Sequence, residues 1–303
     1  MNRILICGSN GLFGQRLALM LSPQTEYEVL NTSRKRSFVF DDRLFDYTQL
    51  DITKKGDVKS LVSSFHPTTI INAAAAADVD WCELHREDAW KINVVGVEHL
   101  IEAARKVGAR LIHISTDYIF DGTHGPYSED DKPNPISYYG KSKLASENAI
   151  RIAGIPYTIF RTIVLYGNGI GVRDNFPTWV VKNLRACRTI HCSEDQFSNP
   201  THVNDLAFAA VKGFELNRDG IYHICGSERV SRFQFAVRTA ELFGLDAGLI
   251  QRVKSSALNQ TAPRPLVTGF VTLKAQTELG MHPMDITQGL TLLKRELQGA
   301  GRN

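Results

Sequence analysis

The chain has 303 residues, 43% of them apolar, enough to bury a core in one large domain or two modest ones and to exclude disorder as the starting expectation. Its 35 basic and 32 acidic side chains leave a net charge of +3, too balanced for nucleic-acid or membrane attraction over a whole surface, so a small-molecule partner is expected. Five scattered cysteines (Cys7, Cys82, Cys187, Cys192, Cys225), with no CxxC pair and no histidines at zinc-ligand spacing, argue for reduced thiols and against a metal. Met1-Asn2-Arg3 runs straight into an apolar strand without a signal-peptide core, and no apolar run approaches the ~20 residues of a membrane span. The expected location is the cytoplasm.

Strand and helix patterns alternate through the first half of the chain. Strand Ile4 to Cys7 is followed by Gly8-Ser9-Asn10-Gly11-Leu12-Phe13-Gly14, which opens a helix over about 12 to 22. Glycines there permit positive φ and close backbone approach, and the unpaired N–H groups of a helix start attract a pyrophosphate. Strand Glu28 to Thr32 leads into Ser33-Arg34-Lys35-Arg36, where an NAD-specific domain would usually offer an acid to the ribose 2′-hydroxyl. Cations in its place suit the 2′-phosphate of NADP, as they would also suit a solvated basic loop. Asp51-Ile52 follows the third strand region, where Asp51 also suits the N-cap of the helix that follows, over 54 to 65.

Strand Thr69 to Ala73 runs into Asn72-Ala73-Ala74-Ala75, whose small side chains would let a cofactor lie against the backbone. A long helix over 83 to 107, containing Asn93, precedes strand Leu111 to Ser115 and Ser115-Thr116-Asp117-Tyr118. A helix over 136 to 153 carries Tyr139-Gly140-Lys141-Ser142-Lys143 and leads to strand Tyr157 to Arg161. This rhythm reads as βαβ units on a doubly wound parallel sheet, the NAD(P)-binding Rossmann class, with ligands at the carboxyl ends of the strands. Beyond Gly167 the pattern loosens. Helices are expected over Pro177 to Ala186, Val203 to Glu215, Phe233 to Phe243 and Pro283 to Gln298, with a strand at Gly220 to Ile224. The domain expectation is therefore 1–166 plus 201–224 for dinucleotide binding, and 167–200 plus 225–303 for a smaller α/β substrate lobe.

The GxxGxxG spacing has one residue more between its first two glycines than the common GxGxxG fingerprint. It resembles the short-chain dehydrogenase/reductase superfamily, which demands a later tyrosine and lysine four residues apart. Tyr139 and Lys143 supply that pair, and Tyr139 is the one tyrosine with lysine at this offset. Residues four apart share a helix face, so the Lys143 ammonium can sit beside the Tyr139 phenol and draw its pKa down, while burial acts the other way. In ketone reduction the Tyr139 hydroxyl would give the oxygen a proton, Thr116 would hydrogen-bond that oxygen, and Lys143 would hold the nicotinamide ribose.

STDYIFDG, YSEDDKPNPISYYGKSKLASE, RTIVLYG, DQFSNPTHVNDLA and the later Arg264-Pro265 with Thr268, Thr272 and Lys274 resemble the extended short-chain reductases of the dTDP-4-dehydrorhamnose reductase family over nearly the whole chain. The resemblance implies Tyr139, Lys143 and Thr116 as catalytic residues. It implies Gly8, Asn10, Gly11, Leu12, Phe13, Gly14, Ser33, Arg34, Lys35, Asp51, Ile52, Ala73, Ala74, Ala75 and Asn93, with Tyr139 and Lys143, around NADP, NAD being the alternative. Thr116 and Asp117 would meet the sugar, and Asn175 and Arg264 the nucleotide diphosphate, although a helix cap and an ion pair are the plainer roles for the last two. Two positions depart from the family: Ile163-Val164-Leu165 stands where a sugar-facing tryptophan is usual, and Tyr118 stands where the related dehydratases carry glutamate.

The expected function is NADPH-dependent reduction of a nucleotide-linked 4-keto sugar, with hydride to C4. An NAD(P)-dependent sugar-nucleotide epimerase and a non-catalytic NADP-binding subunit like that of methionine adenosyltransferase are the alternatives. A homodimer is admitted on symmetry grounds alone.

Overall fold

In the computed structural model the described residues are 2–21, 24–40 and 44–299. Position 22, at the end of the expected first helix, and the outermost ends of the expected domains, 1 and 300–303, lie outside them. In chain order the strands are β1 (Asn2–Cys7), β2 (Tyr27–Ser33), β3 (Tyr47–Gln49), β4 (Thr69–Asn72), β5 (Arg110–Thr116), β6 (Tyr157–Thr162), β7 (Ile190–Ser193), β8 (Phe197–Ser198), β9 (Gly220–Ile224), β10 (Val230–Ser231) and β11 (Ile250–Val253). The helices are α1 (Leu12–Leu21), α2 (Lys55–Phe65), α3 (Val79–Leu84), α4 (Arg86–Trp90), α5 (Gly96–Val107), α6 (Tyr138–Arg151), α7 (Phe176–Arg185), α8 (Val203–Glu215), α9 (Arg232–Phe243), α10 (Leu273–Leu279) and α11 (Ile286–Gly299).

Seven parallel strands form one sheet in the order β3-β2-β1-β4-β5-β6-β9. Both faces are covered, which is why the strands read as continuous apolar runs. Along β1 the side chains alternate: Ile4 and Ile6 meet Leu17, Leu206 and Ala210 on one face, and Leu5 and Cys7 meet Val97 and Leu100 on the other. The strand order reverses direction between β1 and β4, and the crevice at their carboxyl ends is the ligand site of such sheets.

A second cluster joins Val180 and Leu184 of α7 to Ala236 and Ala240 of α9 and to Ile190 and Ile250 of the β7–β11 pair. A third joins α9 to α11 through Phe235, Leu290 and Leu293. Helix α10 packs elsewhere: Ala275, Leu279 and the following Met281 sit in the core of the sheet, although they fall within 225–303. The ion pair of Arg16 with Glu296, at 2.6 Å, ties α1 to α11.

The long helix expected over 83 to 107 is divided. Asp78 caps α3 by accepting the Trp81 N–H at 3.1 Å, and His85 leaves the helical region at φ −122°, ending that helix and opening α4. Lys91–Val95 then form a π-helical turn before α5. Helix α6 starts at the Ser137 cap, whose hydroxyl accepts the Gly140 N–H at 3.2 Å.

Helix α6 is pinned to the sheet by a buried ion pair. Glu147, fully buried, accepts from the Arg161 Nη2 at 2.8 Å and from the Ser115 hydroxyl at 2.5 Å, joining α6 to β6 and β5. Removing one partner strands the other charge in the core, a loss of about 3–5 kcal/mol. Arg161→Met should lower the unfolding free energy by that amount in urea titrations; a loss below about 1 kcal/mol would contradict this role.

Candidate active site

Three adjoining hollows follow the carboxyl ends of the strands. The first, about 250 Å³, lies between Gly8, Arg34, Asp51 and Ala74. The second, about 470 Å³, holds Gly14, Thr116, Tyr139 and Lys143. The third, about 600 Å³, is lined by Asn175, Trp179 and Arg264. Gly11 and Ala73–Ala75 border both of the first two, and Val164, Leu165 and Arg232 border both of the last two.

The first hollow has a floor of bare backbone. Gly8 holds φ +89°, and a Cβ there would lie 2.7 Å from the Ala74 nitrogen, so no side chain fits between β1 and β4. The first turn of α1 leaves N–H groups without intrahelical partners beside this floor, and Leu12 and Phe13 line the second hollow. Asn10 latches the turn to the basic loop, its Nδ2 donating to Ser33 Oγ at 2.8 Å and its Oδ1 accepting the Val39 N–H at 3.1 Å. That loop is fixed by its own backbone: Gln49 donates to the Arg34 carbonyl at 2.8 Å, and the Tyr47 hydroxyl to that of Lys35 at 2.5 Å.

Ile52 is buried under α5 and edges the hollow. Asp51 does not cap α2, which starts at Lys55; it closes the preceding turn by accepting the Thr53 N–H at 3.0 Å and hydroxyl at 2.8 Å. Burial raises its carboxyl, but the two Thr53 bonds and the nearby Arg34 bring it below the usual carboxylate value. Asn93 faces away from the hollows. In the π turn its amide accepts from Ala76 N at 2.8 Å and donates to Ala76 O and Ser142 Oγ, both at 3.0 Å, which uses its donors and holds the wall behind the alanine run.

The second hollow brings Thr116, Asp117, Tyr139 and Lys143 together. Gly140 permits it: a Cβ there would collide with the Tyr118 carbonyl, so α6 can press against the end of β5 only with glycine. Burial pushes the Tyr139 phenol up, against a hydrogen bond from Thr116 that acts the other way, so the expected downward pull from Lys143 is not what sets it. Lys143, 1% exposed, turns its Nζ instead to His113 Nε2 at 2.9 Å, and burial lowers it to about 8.

Asp117 accepts from Thr268 Oγ1 at 2.8 Å and from Thr116 Oγ1 at 3.2 Å, and burial raises it to about 6. Val164, in the apolar stretch that replaces the tryptophan, sits at φ 45°, a left-handed conformation costing a β-branched residue on the order of 1–2 kcal/mol.

In the third hollow Asn175 caps α7, accepting the Thr178 N–H at 3.5 Å and donating to the Gly167 carbonyl at 2.7 Å. Arg264 pairs with Asp80 at 2.8 Å. Both plainer roles are present, and both side chains still face the cleft. Sequence reasoning passed over Arg232, whose guanidinium stacks on Phe176 at 5.0 Å where the second and third hollows meet. It passed over His113 as well, since a lone histidine inside a strand carries no motif.

Among the described residues no group of three or more histidine, cysteine or acidic side chains is placed to hold a metal, and no helix is long and apolar enough to cross a membrane. Because the folded pKa of Asp117 lies above its unfolded value of 3.8, its contribution is favourable below about pH 4 and is lost as pH rises through about 6. Asp117→Asn should therefore gain on the order of 2 kcal/mol relative to wild type between about pH 4 and pH 7. Urea titrations at both pH values measure the difference, and a gap that stays constant would contradict a buried, proton-retaining Asp117.

The chain was compared with known proteins. It is 32% identical to a dTDP-4-dehydrorhamnose reductase of Aggregatibacter actinomycetemcomitans, over 96% of this chain and 97% of that one. It is also 32% identical to methionine adenosyltransferase 2 subunit beta of Xenopus tropicalis, over 87% of this chain and 78% of that one. Its fold superposes on a crystal structure of dTDP-4-dehydrorhamnose reductase from Bacillus anthracis in complex with NADP, with a TM-score of 0.86, 31% identity, and 98% and 100% of the two chains covered. The family described as RmlD substrate binding domain matches residues 1–298, and with the parallel sheet and the cleft it makes one conclusion: the chain belongs to that family.

Proposed function

We propose that the protein is an NADPH-dependent reductase of a nucleotide-linked 4-keto sugar, the observation that carries it being one continuous cleft joining a glycine-floored hollow to Tyr139, Thr116 and a third hollow bordered by arginines. The reductase relatives and the NADP-bound neighbour support the same reading. The first hollow fits a dinucleotide: its floor excludes any side chain at Gly8, the α1 N-terminus offers N–H groups to a pyrophosphate, and Arg34 and Lys35 on its lining offer cations to a 2′-phosphate. Ser33, Asp51 and Ile52 would border the adenosine, and NAD remains the alternative cofactor. On this reading the dinucleotide-binding domain is 1–166 plus 201–224, and the substrate lobe is 167–200 plus 225–303, save for α10, which packs in the core of the sheet.

Bound NADPH would supply a hydride to C4 of the sugar. Tyr139, kept protonated by burial, is the proton donor to the carbonyl oxygen, and the single proton of the Thr116 hydroxyl can turn from Asp117 to that oxygen. Lys143 would hold the nicotinamide ribose. Arg264 and Asn175, which line the third hollow, would face the diphosphate, for which the guanidinium fork is well shaped. Tyr118 offers no carboxylate at the position where the related dehydratases place a base, which favours simple reduction over elimination of water.

A second reading rests on the subunit-beta relative: a non-catalytic NADP-binding subunit. The assay that separates the two mixes protein, NADPH and a panel of dTDP-4-keto sugars. Loss of the reduced-nicotinamide absorbance is expected with at least one of them; none across the panel, with NADPH still bound, overturns the reductase reading.

Two substitutions test the assignments. Tyr139→Phe should lower kcat by ~10²-fold or more with NADPH affinity within a few-fold, and equal turnover would refute the proton-donor role. Arg34→Ala should weaken NADPH far more than NADH, measured by fluorescence titration; an unchanged preference would place the 2′-phosphate contact elsewhere.

A further inference from the structure

Behind Lys143 lies a chain of buried polar side chains that the proposed reaction does not use. His113, on β5, is fully buried, and Asn72, at the end of β4, is 1% exposed. The Asn72 carboxamide has its orientation fixed: its Oδ1 accepts the Ala74 N–H at 3.1 Å, which leaves its Nδ2 facing His113 Nδ1 at 3.2 Å. An amide N–H can only donate, so Nδ1 must accept, and a neutral imidazole then carries its proton on Nε2. Burial holds His113 neutral, well below its ordinary value.

That Nε2–H faces Lys143 Nζ at 2.9 Å and Ser146 Oγ at 3.2 Å, while Ser146 spends its own proton on the Lys143 carbonyl at 2.7 Å. Two N–H donors cannot share a 2.9 Å contact. Lys143 therefore accepts there through a lone pair, as the free amine, and an ammonium would have to turn away. We propose that Asn72 and His113 form a buried relay that presents an N–H to Lys143, making His113 the residue that positions the lysine and stabilises its free-amine form.

The other groups facing Lys143 complete its surroundings. On α6 they are Tyr139 and Glu147, the latter already paired with Arg161 of β6. On α3 it is the Cys82 thiol, whose Sγ donates to the Ala76 carbonyl at 3.3 Å and whose burial raises it to about 11. Glu147 and Cys82 are thus already partnered.

For turnover the consequence rests on the reductase reading. Once Tyr139 has given its proton to the carbonyl oxygen, a Lys143 ammonium can return one to the phenolate, become the amine that His113 receives, and regain its proton from water. The hydrogen-bond pattern itself needs no substrate, so its test is independent of that reading.

Nitrogen NMR of histidine-labelled protein reads the tautomer directly, with the His113 signals assigned by their loss in His113→Gln. Nδ1 should be bare and Nε2 protonated from about pH 6 to 9. A proton on Nδ1, or an imidazolium near pH 7, overturns the relay. In lysine-labelled protein, Lys143, assigned through Lys143→Arg, should titrate near 8. Asn72→Asp supplies an acceptor to Nδ1, so it should shift the His113 proton to Nδ1 and raise the Lys143 midpoint by about one unit or more. An unmoved midpoint in that variant, folded by circular dichroism, would also overturn it.

Discussion

Helix α6 carries both the phenol and the amine of the cleft, and its seat on the sheet is set by the ion pair of Glu147 with Arg161. Glu147 reaches β5 through Ser115 at the same time, one residue before Thr116, so a single carboxylate aligns the two segments that supply the reacting groups, α6 and β5, against β6. Such a pair does little for net stability, because both charges were taken out of water to form it. Its value is geometric. It leaves α6 one position against β5 and β6, and with Gly140 clearing the Tyr118 carbonyl, that position puts Tyr139 beside Thr116.

The same dryness sorts the charges along the cleft. At its centre burial pushes Tyr139 up, Asp117 up and Lys143 down, each toward its uncharged form. Permanent cations stand toward the two ends, Arg34 beside the first hollow and Arg264 in the third, with Arg232 between the second and third. A substrate and cofactor whose phosphates lie away from a neutral reacting centre match this distribution. The relay from Asn72 through His113 extends it beneath Lys143, where a neutral imidazole offers its N–H to the lysine nitrogen.

Much of this was legible in the residues. The parallel sheet could be read because both its faces are buried, which turns each strand into an apolar run; Gly220–Ile224 is found with the bounds expected. The glycine turn and the Tyr139–Lys143 spacing were legible because helix and turn geometry are local. What escaped depends on contacts distant in sequence. The π turn at Lys91–Val95, which aims Asn93 at Ala76 and away from the cleft, has no composition of its own. His113 gains meaning only from Asn72, 41 residues earlier, and Lys143, 30 later. Arg232 belongs to no motif and meets the cleft only because α9 packs its first turn there.

If hydride passes directly from cofactor to sugar inside this one cleft, isotope transfer will show it. With NADPH deuterated at the nicotinamide C4 and a nucleotide-linked 4-keto sugar that the protein accepts, mass spectrometry of the product should find a single deuterium on the sugar carbon that was the ketone. A protein that binds both ligands yet leaves the sugar free of deuterium, with the cofactor unoxidised, would contradict the account.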